Sequence, residues 1–130
     1  MATTPNHLGN FCNLLVQFFE DMTETYPEER DIAMACSALK LMKQANPRMI
    51  HTVFMENVMR EFKEPLLAED EEYILRRARE ILDSKYAEIN YAFWIFDKHW
   101  STMAETNKRH IWNYMKALIV LAEKVPRGVA

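Results

Sequence analysis

The sequence predicts an all-α protein: a single compact bundle of about six helices, closed by a C-terminal aromatic-rich helical hairpin. Three observations predict it. Only two glycines occur, Gly9 and Gly128, both near the ends, whereas tight β-hairpin turns rely on residues that tolerate positive φ. Apolar residues recur at steps of three and four through most of the chain, the period of a helix rather than a strand. The breaks between these runs carry Pro, Asn and acidic start signals. The whole of 1–130 reads as one domain, with 1–6 and 126–130 frayed. Its length suffices for one core, and 49% hydrophobic with 27% charged residues argues against disorder.

The first helix is expected from His7 to Glu24. Leu8, Phe11, Leu15, Phe18 and Met22 form its stripe, widened by Cys12, Leu14 and Phe19, while Asn13, Gln17, Glu20, Asp21 and Glu24 form a wet face. A second helix is expected to start at Thr25-Tyr26-Pro27-Glu28, with Thr25 and Glu28 in a capping box and Pro27 in the first turn. Its buried side is Ile32, Ala35, Cys36, Leu39 and Met42. Its many small residues predict close approach by neighbours and a central place in the bundle. Asn46-Pro47 predicts an N-cap and first residue of the third helix. That helix carries Ile50, Val53, Phe54, Val58 and Phe62, with Met49, Met55 and Met59 beside them, and is expected to stop at Pro65. Leu66 and Leu67 are expected to plug the core edge.

Asp70-Glu71-Glu72 opens a fourth helix with acids at the positive end of its dipole. Tyr73, Ile74, Ala78, Ile81 and Leu82 are its apolar positions, and an end is expected near Asp83-Ser84. Residues 86–125 then form the hairpin, which holds all three tryptophans. Tyr86, Ile89, Phe93, Phe96, Trp100 and Met103 mark one arm. Ile111, Met115, Leu118, Ala122 and Val125 mark the other. A break is expected within 101–106, with Thr102 and Glu105 offering one capping box. The hairpin is expected to pack on the first three helices.

Chemical motifs are sparse. A phosphate-cradling loop needs glycines, and none lies between residues 10 and 127. The four histidines, His7, His51, His99 and His110, have no paired ligand spacing, although His99 and His110 flank the hairpin corner. Cys12 and Cys36 fall on apolar stripes and read as buried core thiols. The acidic run Glu69 to Glu72 is explained by its place at a helix start. No catalytic residue, cofactor, metal or small-molecule substrate is therefore expected, and the chain reads as non-enzymatic. A start of MATTPNHLGN without a basic or apolar run, and the lack of a long apolar stretch, predict neither a secretion signal nor a membrane span.

Two surfaces carry the functional expectations. Tyr91, Trp94 and Ile95 on one hairpin arm, and Trp112, Tyr114 and Leu121 on the other, lie off the main stripes. They are expected to meet another protein or a second copy of the chain. Lys40, Lys43, Arg48, Arg76 and Arg79 form an alternative basic patch for nucleic acid, against a net charge of −3 that disfavours general nucleic-acid binding.

Phe18 to Glu28 (FFEDMTETYPE), the Asn46-Pro47-Arg48 corner and the run Trp100…Thr106-Asn107-Lys108-x-x-Ile111-Trp112-x-Tyr114 resemble small uncharacterised all-helical proteins encoded by large DNA viruses of algae and other protists. The likeness spans most of the chain, except Leu66 to Lys85, and contains no chemical motif. It implies a viral origin and a place in the cytoplasm or nucleus of an infected host cell, or in the virion. It implies no activity and no site residues.

Overall fold

The computed structural model describes residues 6–82 and 97–126, with the side chains of residues 81 and 82 left aside. The chain is all-α, and among the described residues there is no strand. The order is α1 His7–Thr25, α2 Arg30–Ala45, α3 Pro47–Phe54, a π-helical turn Met55–Met59, α4 Arg60–Leu67, α5 Glu71–Leu82 and α6 Glu105–Lys124. A short helical stretch at 97–100 precedes α6, and the break falls at 101–104, inside the expected window.

The core lies between α1, the α3–α4 rod and α6. Phe11, Phe62, Leu118 and Ile119 are essentially sealed from water. Phe11 meets Phe54 edge-on at 5.0 Å and His51 at 5.6 Å, the offset geometry that aromatic quadrupoles favour. His51, buried among these residues, shares a hydrogen bond between Nε2 and the Ala122 carbonyl oxygen of α6 at 2.9 Å. This gives the buried ring's Nε2 a partner inside the core. Cys12 and Cys36 are free and buried, as their stripe positions predict, and Cys12 Sγ donates to the Pro47 carbonyl at 3.6 Å. The predicted wet face of α1 is exposed throughout.

Helix starts follow their side chains unevenly. Asn6 accepts from Gly9 N–H at 2.8 Å and Asn46 from Met49 N–H at 3.3 Å, with Pro47 in the first turn of α3. Asp70 likewise accepts from Tyr73 N–H at 3.2 Å and opens α5. The expected box at Thr25 does not form. Thr25 continues α1, its hydroxyl donates back to the Asp21 carbonyl at 2.8 Å, and α2 starts only at Arg30 after Glu29. Thr102 does not cap α6 either, because its hydroxyl donates to the His99 carbonyl at 3.2 Å.

The third helix differs most from its expectation. It does not stop at Pro65 but runs to Leu67. Proline gives up the bond its missing N–H would make to the carbonyl one turn back, but its φ suits a helix and its own carbonyl remains free to accept. The rod closes in a Schellman turn, with Asp70 N–H donating to the Pro65 carbonyl at 2.8 Å and Glu69 N–H to the Leu66 carbonyl at 3.2 Å. Glu69 takes the left-handed position usually held by glycine, at φ 54°. Its carboxylate accepts from Arg109 at 2.6 and 2.9 Å and from Lys116 at 2.5 Å, both on α6. A strained backbone is thus held by a side-chain clamp between elements.

Upstream, Arg60 N–H donates to the Met55 carbonyl, a bond of π-helical length. Buried positions along the rod are Ile50, Phe54, Met59, Phe62 and Leu66. The step from Phe54 to Met59 spans five residues, and the wider π turn brings both to the core. Met59, rather than the expected Val58, therefore takes the fully buried place.

Helix α2 is not the central element. It packs on α1 and α3 and buries only Ile32 and Cys36. Alanines allow close packing, but they bury little area and so cannot by themselves hold a helix at the centre. Central places go instead to α1 and α6, which pack on each other. Thus α6, the second hairpin arm, packs on α1 and α4. The first arm, 86–96, lies outside the described residues, as does the expected end near Asp83-Ser84.

Candidate interaction face on α2 and its groove

Seven large apolar side chains are exposed among the described residues, and five of them lie on α2 and α3. Met34 and Leu41 are each 68% exposed, and Met42, Met49 and Val53 accompany them. On α2, positions 34, 38, 41 and 45 follow steps of four, three and four, and all four are exposed. At 100° per residue these positions fall on one narrow strip, opposite the side that carries Ile32 and Cys36. The helix thus has two apolar faces, and the bundle uses one.

Beside this strip lies an apolar groove of about 450 Å³. Ala38 and Met42 form its α2 edge, and Phe54, Ile74 and Trp112 are among the side chains along its walls. Among its described lining residues the polar ones are Asn57 and Glu71. The Asn57 amide donates to the Val53 carbonyl at 2.9 Å, and Glu71 lies 3.8 Å from Lys108. Both therefore have partners within the chain, and the groove offers mainly apolar contact.

The residues expected to form an interface are divided by the structure. Tyr91, Trp94 and Ile95 lie outside the described residues. Trp112 is 7% exposed and meets Trp100 edge-on at 5.4 Å, so its surface is committed within the chain. Tyr114 is half-buried beside Phe18 at 5.1 Å, and its hydroxyl donates to the Asp21 carboxylate. Burial and that bond push the phenol up to about 12. Leu121 is partly buried against the core. Met34 and Leu41, absent from the expected buried side of α2, carry the largest exposed apolar surface instead. Their own heptad-like spacing is the sequence signal that marks them.

The five basic residues lie on three helices, α2, α3 and α5. Lys40 pairs with Glu20 at 3.1 Å. Lys43 lies half-buried in the last turn of α2, and Arg48 donates to the Pro126 carbonyl at 3.2 Å. Arg76 and Arg79 lie on α5, Arg76 over the Tyr73 ring at 5.6 Å and Arg79 paired with Asp97 at 2.9 Å. Acidic or carbonyl partners therefore serve three of the five.

A third cluster joins Glu28, Glu29 and His99, whose ligand atoms lie within 4.8 Å of one another. Glu29 accepts from Lys98 at 2.5 Å and from His99 Nε2 at 2.9 Å, and Tyr26 stacks on His99 at 4.1 Å. The bond from Lys98, then that from His99, holds the Glu29 carboxyl below its usual range. A metal ion there would compete with Lys98 for the same oxygen. The cluster is an ion-pair tie between the α1–α2 corner and the 97–100 turn, and His99 engages Glu29 rather than His110.

No described helix is long and apolar enough to cross a membrane. None of the family models, curated proteins or solved structures compared with the chain matches it.

Proposed function

We propose that the chain is a non-enzymatic interaction protein whose contact face is the outer strip of α2 with the neighbouring groove mouth. The observation that carries this reading is that, of the seven exposed large apolar side chains among the described residues, five lie on α2 and α3, the two helices that flank the groove mouth. Scattered single apolar residues are ordinary on a surface, but a contiguous patch marks a contact site. Methionine dominates the patch, through Met34, Met42 and Met49, and suits contact with apolar side chains of varied shape. A viral setting, in an infected cell or a virion, accompanies this reading from the sequence resemblance alone.

Substitution of Leu41 by Glu tests it. Leu41 and Met34 hold little of the core, so Leu41→Glu and Met34→Glu chains should fold with a melting temperature close to the parent's. Quantitative capture from extracts of the source cells should then lose its specific partners with either variant. Recovery of the same proteins at the same level by parent and variants would refute the assignment of this face.

A further inference from the structure

Resting on that reading, we infer that the partner of the α2 face is a second copy of the same face, packed antiparallel about a two-fold axis. The strip is self-complementary in size. Met34 and Leu41 are large, while Ala38 and Ala45 are small, and all four are exposed. Antiparallel pairing sets Met34 of one copy against Ala45 of its partner, and Leu41 against Ala38. Each large side chain then faces a small one, so the seam can close without voids or clashes. Parallel pairing would set Met34 on Met34 and Ala38 on Ala38, leaving the helices alternately wedged apart and under-filled.

Charge follows the same rule. One step before Met34, in the same spacing, stands exposed Asp31; three residues after Ala45, past the corner, stands exposed Arg48. Antiparallel pairing carries each Asp31 toward the corner where the other copy's Arg48 lies. Parallel pairing would stack like charges and align the helix dipoles unfavourably. Such an isologous contact closes on itself and yields a dimer rather than a filament. Met42, Met49 and Val53, exposed along the groove, add apolar surface on the groove side of the seam.

The test is mass in solution by light scattering from about 1 to about 200 µM of purified chain, a range that spans typical homodimer affinities. The mass should rise toward twice 15.4 kDa, and Leu41→Glu should remain at 15.4 kDa throughout. Charge reversal by either Asp31→Arg or Arg48→Asp should weaken dimerisation about two- to fivefold, and the two together should restore it. A mixture of Met34→Cys and Ala45→Cys chains should cross-link with a short bismaleimide, whereas neither variant alone should, Cys12 and Cys36 being buried.

Several results would overturn the inference. A dimer that survives Leu41→Glu places the contact elsewhere. Cross-linking of Met34→Cys to itself makes the pairing parallel. A monomer at every concentration rules out self-pairing. If Leu41-dependent capture from extracts then persists, the α2 face stands with a different partner. If that capture is lost as well, the functional reading falls with it.

Discussion

The same substitution at two leucines separates the core from the contact face. Leu118 on α6 is 0% exposed and Leu41 on α2 is 68% exposed. Leu118→Ala removes buried apolar atoms and leaves a cavity in the core, for an expected loss of about 3–4 kcal/mol. Burying a leucine is worth roughly 2 kcal/mol of transfer free energy. With two thirds of Leu41 already in water, the remaining third gives about 0.6 kcal/mol, and no cavity forms at an open surface. Urea titration followed by circular dichroism at about 1 µM keeps association out of the measurement. With a slope near 2 kcal/mol per M, the midpoint should fall by about 1.5–2 M for Leu118→Ala and by about 0.3 M for Leu41→Ala. Equal losses at the two sites would show that α2 buries Leu41 after all, and the assignment of its outer face would fail.

Further outcomes follow from the rod and its clamp. Deleting exposed Glu56 shortens the five-residue step between Phe54 and Met59 to four, which an ordinary α-helix accommodates. The melting temperature should move by only a few degrees. Deleting Gln17 from mid-α1 instead rotates Phe18 and Met22 by about 100° away from the core and should abolish cooperative unfolding. At Glu69, hydrogen bonds from Arg109 and then Lys116 hold the carboxyl at about 2, against 4.5 ordinarily. Its stabilising contribution is therefore complete above about pH 4.5, fades as pH falls, and is gone below about 2. Acid titrations of the parent and Glu69→Gln should diverge above that window and converge below it; parallel curves throughout would show that the clamp does not act.

Much of this architecture is legible in the residues. Asn46-Pro47 and Asp70 announce helix starts because one side chain meets one backbone N–H, a local event. The stripe of α1 and its wet face are legible because a single period holds along the whole helix. Elsewhere the deciding interactions are non-local. Thr25 and Thr102 have capping chemistry, yet each hydroxyl turns back to a carbonyl of the preceding helical turn, a competition that spacing alone does not resolve. The π turn hides because Phe54, Val58 and Phe62 also satisfy an α-helical reading. Only the neighbouring elements decide that Met59 is buried. Alanine-rich α2 fits either a crowded centre or a bare exterior, and the burial of Trp112 and Ile119 on α6 left α2 at the periphery. Met34 and Leu41 followed a readable second stripe, but the stripe of Ile32, Cys36 and Leu39 explained the helix without them.

The most direct test of a bare apolar face on α2 uses the chain's own methionines. A time course in dilute peroxide, read by peptide mass mapping, reports the exposure of each thioether in solution. Among the described methionines, Met34, 68% exposed, should oxidise first, followed by Met49 and Met42 at 47% and 39%, with Met22, Met59 and Met103, each at 8%, slowest. Raising the protein concentration should slow Met34 selectively as the face is covered. Oxidation of Met34 at the rate of Met22 in dilute solution would contradict the exposed face and, with it, the interaction surface built on it.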